Sequence, residues 1–244
     1  MQLKEASVLL VDDEPVLVDI MREWLQQLVG TLFCARDGVQ ALQVLDTHRI
    51  DLVITDIRMP VMDGITLLKE MKARGRYTPS LIFITGFADI DVRDAYDLGA
   101  EALVEKPIEH ESLIDLMQRS VSQLPGKWKK QSGLTASPLV SRTYASLSSA
   151  LQEHRIAFGR GGFCIEGDDF PEEETVNIAL DFKADGYVLL GEGVIRWSQE
   201  NQTGIELTYV ADESLARVVQ LTQGNSAFIP RTTERHYQDL RQVV

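Results

Sequence analysis

"VITDIRMPVMDG", residues 53–64, decides how the front of this chain folds. It opens as an apolar, β-branched run and stops on Asp56. It then turns through Pro60 and Gly64 and continues as "GITLLKEMKA", whose apolar residues recur at helical spacing. A short buried strand feeding a helix is the repeating unit of a parallel sheet covered on both faces. In such sheets the reactive groups collect at the carboxyl ends of the strands. Asp56 is therefore read as a functional residue before any other is considered.

The same unit recurs on either side. "SVLLV" is a strand, and Leu17, Met21, Trp24 and Leu28 stripe the helix after it. "TLFCA" is a strand followed by the helical "GVQALQVL". "SLIFIT" is a strand, and "IDVRDAYDLG" a helix ending at Gly99. "EALVE" is the last strand, and Leu113, Met117, Val121 and Leu124 stripe the last helix. Five strand–helix units over residues 1–124 predict a doubly wound, five-stranded parallel sheet of the flavodoxin-like kind.

Composition narrows the function. The 244 residues carry a formal net charge of -13. Through Leu124 there are 12 Lys and Arg against 21 Asp and Glu, and 12 against 16 beyond it. Neither half offers the basic face that a phosphate backbone favours, so DNA is not expected as a partner. The two cysteines, Cys34 and Cys164, form neither a metal spacing nor a disulfide framework. The first apolar run, "VLLV", is followed at once by "DDE". This has the shape of neither a signal peptide nor a membrane span, and a cytoplasmic protein is expected.

Acids and their counter-groups gather at the predicted strand ends. Asp12 and Asp13 follow the first strand, Asp56 ends the third, Thr85 ends the fourth and Lys106 follows the fifth. A few carboxylates suit magnesium, which wants oxygen ligands and keeps several waters. A carboxylate beside that cation can attack a phosphoryl group, with a lysine and a hydroxyl holding the phosphoryl oxygens. "VDDE", "DIRMPVMDG", "ITG" and "KP" in this register resemble the response-regulator receiver family, the CheY-like fold. The resemblance implies that Asp56 is the phospho-acceptor. It implies that Asp12, Asp13, Asp56 and the backbone carbonyl of Arg58 hold Mg2+, and that Thr85 and Lys106 sense the phosphoryl group. It also implies a cognate histidine kinase and a cis Lys106–Pro107 bond. One position departs from the family: Leu103 stands where many members carry an aromatic switch, with Phe87 or Tyr96 as substitutes.

Residues 125–140, "PGKWKKQSGLTASPLV", read as a linker. Residues 141–229 change period. "GGFCIE", "TVNIALDF", "YVLLGEGVIRW" and "TGIELTYV" alternate with period two and are divided by turn residues. A helix, "DESLARVVQLTQG", follows, with Asp212 as its expected N-cap and Gly224 as its stop. "RTYASLSSALQEH" fits a helix better than a strand, and residues 230–244 read as a tail. The prediction is a small antiparallel β-barrel with a C-terminal helix.

That order of turn, strands and helix resembles a PilZ domain, over roughly residues 127–224. Many PilZ domains bind cyclic di-GMP through an RxxxR pair and a (D/N)xSxxG turn. Laid on "AFGRGG", residues 157–162, the motif keeps its last glycine, Gly162, but puts Ala157 and Gly159 at the polar positions. Upstream stand Lys127, Lys129 and Lys130 rather than an arginine pair, and lysine neither stacks nor forks as arginine does. Arg155 and Arg160, together with the three lysines, remain as weak nucleotide candidates. Gly161 and Gly162 are expected to serve the backbone, at positive φ in a tight turn.

The leading reading is a response regulator phosphorylated on Asp56. Its PilZ-like output domain would contact a downstream protein, under the control of receiver–output docking or homodimerisation, with no dedicated catalytic output domain. The readings set against it are a cyclic di-GMP receptor, which lacks its ligand groups, and a transcription regulator. For the latter only "PRTTERHYQDLRQVV" clusters arginines, with acids among them.

Overall fold

A computed structural model describes residues 2–74, 79–86, 90–122, 127–128, 137–167, 170–223, 225, 227–230 and 232. The chain divides into two compact units, Met1–Gln123 and Leu124–Val244.

Among the described residues of the first unit, five strands alternate with five α-helices. They are β1 (Ser7–Val11), α1 (Pro15–Leu25), β2 (Thr31–Ala35), α2 (Gly38–Thr47), β3 (Leu52–Asp56), α3 (Gly64–Ala73), β4 (Ser80–Thr85), α4 (Val92–Leu98), β5 (Ala102–Glu105) and α5 (His110–Val121). All pairings are parallel, in the order β2-β1-β3-β4-β5. This is the flavodoxin-like winding, whose switch point lies between β1 and β3. Alternation along the strands makes two cores. Val8, Leu10, Leu52, Ile54, Ile82 and Ile84 pack with Met21, Leu25, Leu113 and Met117 of α1 and α5. Leu9, Val11, Val53, Leu81 and Phe83 pack with Leu42, Leu67, Leu68, Met71 and Ala95 of α2, α3 and α4. Three helices begin on a capping aspartate: Asp37 accepts from Gln40 N–H, Asp63 from Thr66 N–H and Asp91 from Arg93 N–H. Gly99 closes α4 in the left-handed conformation, φ 94°.

The second unit holds β6 (Leu139–Tyr144), α6 (Leu147–Gln152), β7 (Ile156–Phe158), β8 (Gly162–Glu166), β9 (Thr175–Phe182), β10 (Tyr187–Gln199), β11 (Gln202–Val210) and α7 (Asp212–Thr222). Its sheet runs β6-β9-β10-β11-β8-β7. The expected antiparallel barrel needs two corrections. β6 pairs with β9 in parallel, while the other pairings are antiparallel. The hydrogen-bonded order also ends at β6 and β7, so among the described residues the ladder is open rather than closed. Val176, Ile178, Leu180 and Phe182 of β9 alternate inward, and Phe163, Ile195 and Ile205 join them in the core.

Arg142–Tyr144 belong to β6, and the helix expected there begins only at Leu147. Ser146 caps it, in a reciprocal box with Ser149. Ala211, not Asp212, is the N-cap of α7; Asp212 and Glu213 occupy its first turn, where the helix dipole favours acids. Gly224 lies outside the described residues. The linker 125–140 is narrower than its composition suggests. Leu139 and Val140 lie in β6, and Trp128 is buried in the second core, its carbonyl accepting from Val210 N–H at 3.1 Å. Lys129, Lys130 and Phe87 lie outside the described residues. So does most of the tail, apart from the buried Pro230 and Thr232.

Candidate functional site in the first unit

Each acid reaches the pocket because a strand stops beneath it. β1 ends at Val11, so Asp12 rises from its carboxyl end, and β3 ends on Asp56 itself. Asp12 and Asp56 are both buried, whereas Asp13 is exposed. Thr85 ends β4 and is buried. Lys106 follows β5, its N–H donating to the carbonyl of Thr85 at 2.7 Å, and the Lys106–Pro107 bond is cis.

Lys106 joins the pocket together. Its Nζ donates to Asp56 Oδ1 at 2.6 Å and to Asp12 Oδ2 at 3.2 Å. The remaining carboxylate oxygens are held by the backbone. Asp56 Oδ2 accepts from Arg58 N–H at 2.6 Å, and Asp12 Oδ1 from Glu14 N–H at 2.8 Å. The loop after β3 folds back tightly over Asp56. A Cβ on Gly64 would lie 2.3 Å from the Asp56 carbonyl oxygen, so only glycine opens α3 here. An open cleft of about 530 Å³ beside the pocket is lined by Asp13, Arg58, Met59, Pro60 and Asp63, among others.

The electrostatics follow from this packing. Burial pushes the Asp12 carboxyl above the usual range, against the lowering effects of Glu14 N–H and of Lys106; the Asp56 charge raises it further. Burial alone would lower the Lys106 ammonium. The hydrogen bond to Asp56 and the charges of Asp12 and Asp56 outweigh it, and the net shift is upward. Lys106 thus stays charged, and two buried carboxylates share one cation.

Among the described residues, no three His, Cys, Asp or Glu side chains form a ready metal cage. The donor chemistry nevertheless fits a hard divalent cation. Asp12 and Asp56 are buried oxygen donors whose negative charge exceeds that of the one ammonium beside them, and Asp13 and the Arg58 carbonyl adjoin them in sequence.

The structure brings Asp12, Asp56 and Lys106 into direct contact, and sets Thr85 one backbone hydrogen bond from Lys106. It places the two candidate arginines, Arg155 and Arg160, against different rings. Arg155 lies 5.1 Å from the centre of the Tyr144 ring and pairs with Glu153, whereas Arg160 lies 6.0 Å from the centre of the Phe228 ring. Nor do Gly161 and Gly162 work as expected: neither has positive φ. They are needed for close approach. A Cβ on Gly161 would lie 2.1 Å from the Phe228 ring, and one on Gly162 would lie 1.9 Å from the Ile205 carbonyl oxygen. Sequence reading missed Phe228 because residues 225–230 carry no periodicity.

A second arrangement went unread as well. Arg196 of β10 donates through Nε to Glu206 Oε2 of β11 at 2.7 Å, and its other arm reaches Glu173 at 2.6 Å. Arg196 and Glu206 are largely buried, while Glu173 is exposed. Knowing that β10 pairs β11 would have hinted at it.

Comparison with known proteins places the first unit. The response regulator receiver domain model matches residues 8–118. The chain is 31% identical over 122 residues to the probable C4-dicarboxylate response regulator DctR of Priestia megaterium, covering 49% of this chain and 53% of that one. It is 37% identical over 103 residues to the Regulator of RpoS of Escherichia coli K12, covering 42% of this chain and 31% of that one. The chain thus spans about half or less of these relatives. Among solved structures, the signal receiver domain of an HD domain-containing protein from Pseudomonas fluorescens Pf-5 is 32% identical with a TM-score of 0.44, covering 48% of this chain and 94% of that one. The chemotaxis response regulator CheY4 of Vibrio cholerae is 28% identical with a TM-score of 0.43, covering 48% and 98%. By the family model, residues 8–118 of this chain are a response regulator receiver domain.

Proposed function

We propose that Asp56 accepts a phosphoryl group from the phosphohistidine of a histidine kinase, or from a small phosphodonor, and that the second unit transmits the signal by contact with a downstream protein. The observation that carries this reading is the shared ammonium: Lys106 Nζ lies 2.6 Å from Asp56 and 3.2 Å from Asp12. In the reaction an Asp56 carboxylate oxygen forms the new O–P bond, the N–P bond of the donor breaks, and the imidazole leaves with its electron pair and takes up a proton. Arg58 N–H fixes one Asp56 oxygen, which leaves the orientation of the attacking carboxylate set before the donor arrives. Lys106 holds an ammonium at the acceptor, where it neutralises phosphoryl charge. The Thr85 hydroxyl is the proposed second contact to the phosphoryl oxygens.

Asp12, Asp13, Asp56 and the Arg58 carbonyl would hold magnesium. A bound magnesium ion would supply charge neutralisation for the phosphoryl oxygens there. Leu103 lies on β5 opposite Phe83 of β4. An aliphatic side chain there cannot make a hydroxyl contact, so relay to the surface runs through other residues, and Tyr96, buried in α4, is the candidate.

The second unit is read as a PilZ-like output domain stripped of nucleotide-reading groups. Ala157 and Gly159 offer no polar side chain, and Arg155 and Arg160 are engaged on different rings. Among the described residues no helix is long and apolar enough to cross a membrane. The test is to incubate the full chain and its Asp56→Asn variant with labelled phosphodonor and magnesium. Label on the parent and none on the variant is expected; equal labelling would refute the assignment.

A further inference from the structure

β6 leaves one side of its backbone open. The strand ends the ladder and, among the described residues, pairs only with β9. Leu139 stands opposite Asn177, and the Asn177 N–H donates to the Pro138 carbonyl at 2.8 Å. In a parallel ladder every second residue directs its backbone groups to the same neighbour. Pro138, Val140 and Arg142 therefore address β9, while Leu139, Ser141 and Thr143 address the open side. Val140 and Tyr144 turn into the core, so the side chains of Leu139, Ser141 and Thr143 lie on the opposite face, where all three are exposed. The Ser141 carbonyl accepts from the Arg142 guanidinium at 2.8 Å and keeps a second lone pair.

Edge strands are usually guarded by an outward lysine, a proline, a bulge or a covering element. From Leu139 to Tyr144 the register with β9 never shifts, and the outward side chains carry no charge. Among the described residues, the large apolar side chains exposed on the second unit are Leu139, Val188 and Leu190, and all three lie on this face. Charge and symmetry favour a second copy as the occupant. The chain carries a net charge of -13, and a twofold axis sets a strip against itself, so only an uncharged strip avoids self-repulsion. Antiparallel pairing centred on Ser141 puts Ser141 opposite Ser141 and Leu139 opposite Thr143. Side chains then share a face, and the open N–H and carbonyl groups meet. Arg142 falls opposite Val140, not opposite its own copy. Ser141, Ala179 and Leu190 share one uncharged row, which the pairing continues into the second copy.

We propose that β6 is a self-pairing edge: two copies of this chain join their second units, antiparallel through Leu139, Ser141 and Thr143, into one continuous sheet. Two strands of this length bury less than a standard interface, so the association is weak, with a dissociation constant of about 10–100 µM. Pairing does not depend on phosphoryl acceptance at Asp56, so its test contains neither phosphodonor nor magnesium, and either reading can fail alone.

The test is sedimentation of the full chain at concentrations spanning that range, with the variants Ser141→Lys, Ser141→Glu and Ser141→Pro. The parent should pass from monomer to dimer. Ser141→Lys sets two like charges on the axis, and Ser141→Pro removes an N–H that a solvent-facing edge does not need. Each should weaken dimerisation by about tenfold or more, with thermal unfolding at low concentration unchanged. Ser141→Glu alone should do the same. Mixed with Ser141→Lys it should restore a dimer, because residue 141 of one copy then meets the opposite charge on the other. Three results would overturn the proposal: a parent that stays monomeric, dimers of Ser141→Lys and Ser141→Pro as tight as the parent's, or no dimer in the Lys–Glu mixture. Unfolding of both Ser141→Lys and Ser141→Pro would overturn it too, by making the edge part of the single copy's fold.

Discussion

Replacing Lys106 with methionine should expose how strongly the receiver pocket depends on one ammonium. The side chain keeps its length and loses its charge. In the structure Nζ lies 2.6 Å from Asp56 Oδ1 and 3.2 Å from Asp12 Oδ2, with only a quarter of the lysine side chain exposed. At an effective dielectric of about 20, those distances correspond to roughly 6 and roughly 5 kcal/mol of attraction. Dehydration of the three charged groups, several kcal/mol each, takes back most of this. Removing the ammonium restores none of the water around the carboxylates and leaves two buried like charges facing one another, at a cost of about 3 kcal/mol. For a unit spanning Met1–Gln123, this is a fall in Tm of about 10 °C.

The loss should also depend on pH. Burial, the largest influence on Asp12, raises its folded-state pKa above the unfolded value. Such a group stabilises the fold at low pH, and that contribution disappears as pH rises through the folded pKa. Without Lys106 the folded pKa climbs further, so the variant should lose stability over a range reaching to higher pH. Thermal unfolding in the presence of a chelator, at pH 5 and pH 8, measures this. The deficit should be larger at pH 8. A variant as stable as the parent at pH 8, or a deficit identical at both values, would refute the reasoning.

In the second unit, Arg196→Met should cost about 3–5 kcal/mol, because it strands the buried Glu206 carboxylate; Glu173→Gln, at the exposed end of the same guanidinium, should cost under about 1 kcal/mol. Urea denaturation followed by tryptophan fluorescence separates the two, and similar losses would contradict the burial argument. Burial pushes the Tyr144 phenol up to about 12, with Arg142 and Arg155 opposing. Its stabilising effect is complete below the ordinary tyrosine value near 10 and is lost as pH rises towards 12. Ultraviolet titration of parent and Tyr144→Phe should differ by one late-ionising phenol; a difference near pH 10 would count against it. Gly204→Ala places a methyl 2.2 Å from the Trp197 ring and should cost about 1–3 kcal/mol by overpacking, read from the same denaturation curves.

The receiver was legible because its signals are local. Short apolar, β-branched runs such as "SVLLV" and "SLIFIT" read as buried strands, which they are, and helical stripes such as Leu113, Met117 and Val121 mark the covering helices. Once those units are placed, chain geometry carries Asp12, Asp56, Thr85 and Lys106 to one end of the sheet. The second unit was legible only strand by strand. Alternation in "TVNIALDF" gives the inward face of β9 but not its neighbour, and its parallel pairing with β6 is a tertiary choice. The Arg196–Glu206 pair depends on a register that shifts between Glu192 and Gly193 and again between Ile195 and Trp197. Gly161 shows the limit most clearly. Its presence implies a constraint, but whether that is positive φ or a ring pressed against the backbone depends on Phe228, far along the chain.

Locating the phosphoryl group decides whether Asp56 is the acceptor proposed above. The full chain is incubated with a small phosphodonor and magnesium, the acyl phosphate is trapped chemically, and the peptides are mapped by mass. Modification is expected on the peptide holding Asp56, and none when magnesium is chelated. Modification at Asp12, at Asp13 or outside the first unit, or undiminished labelling without magnesium, would contradict it.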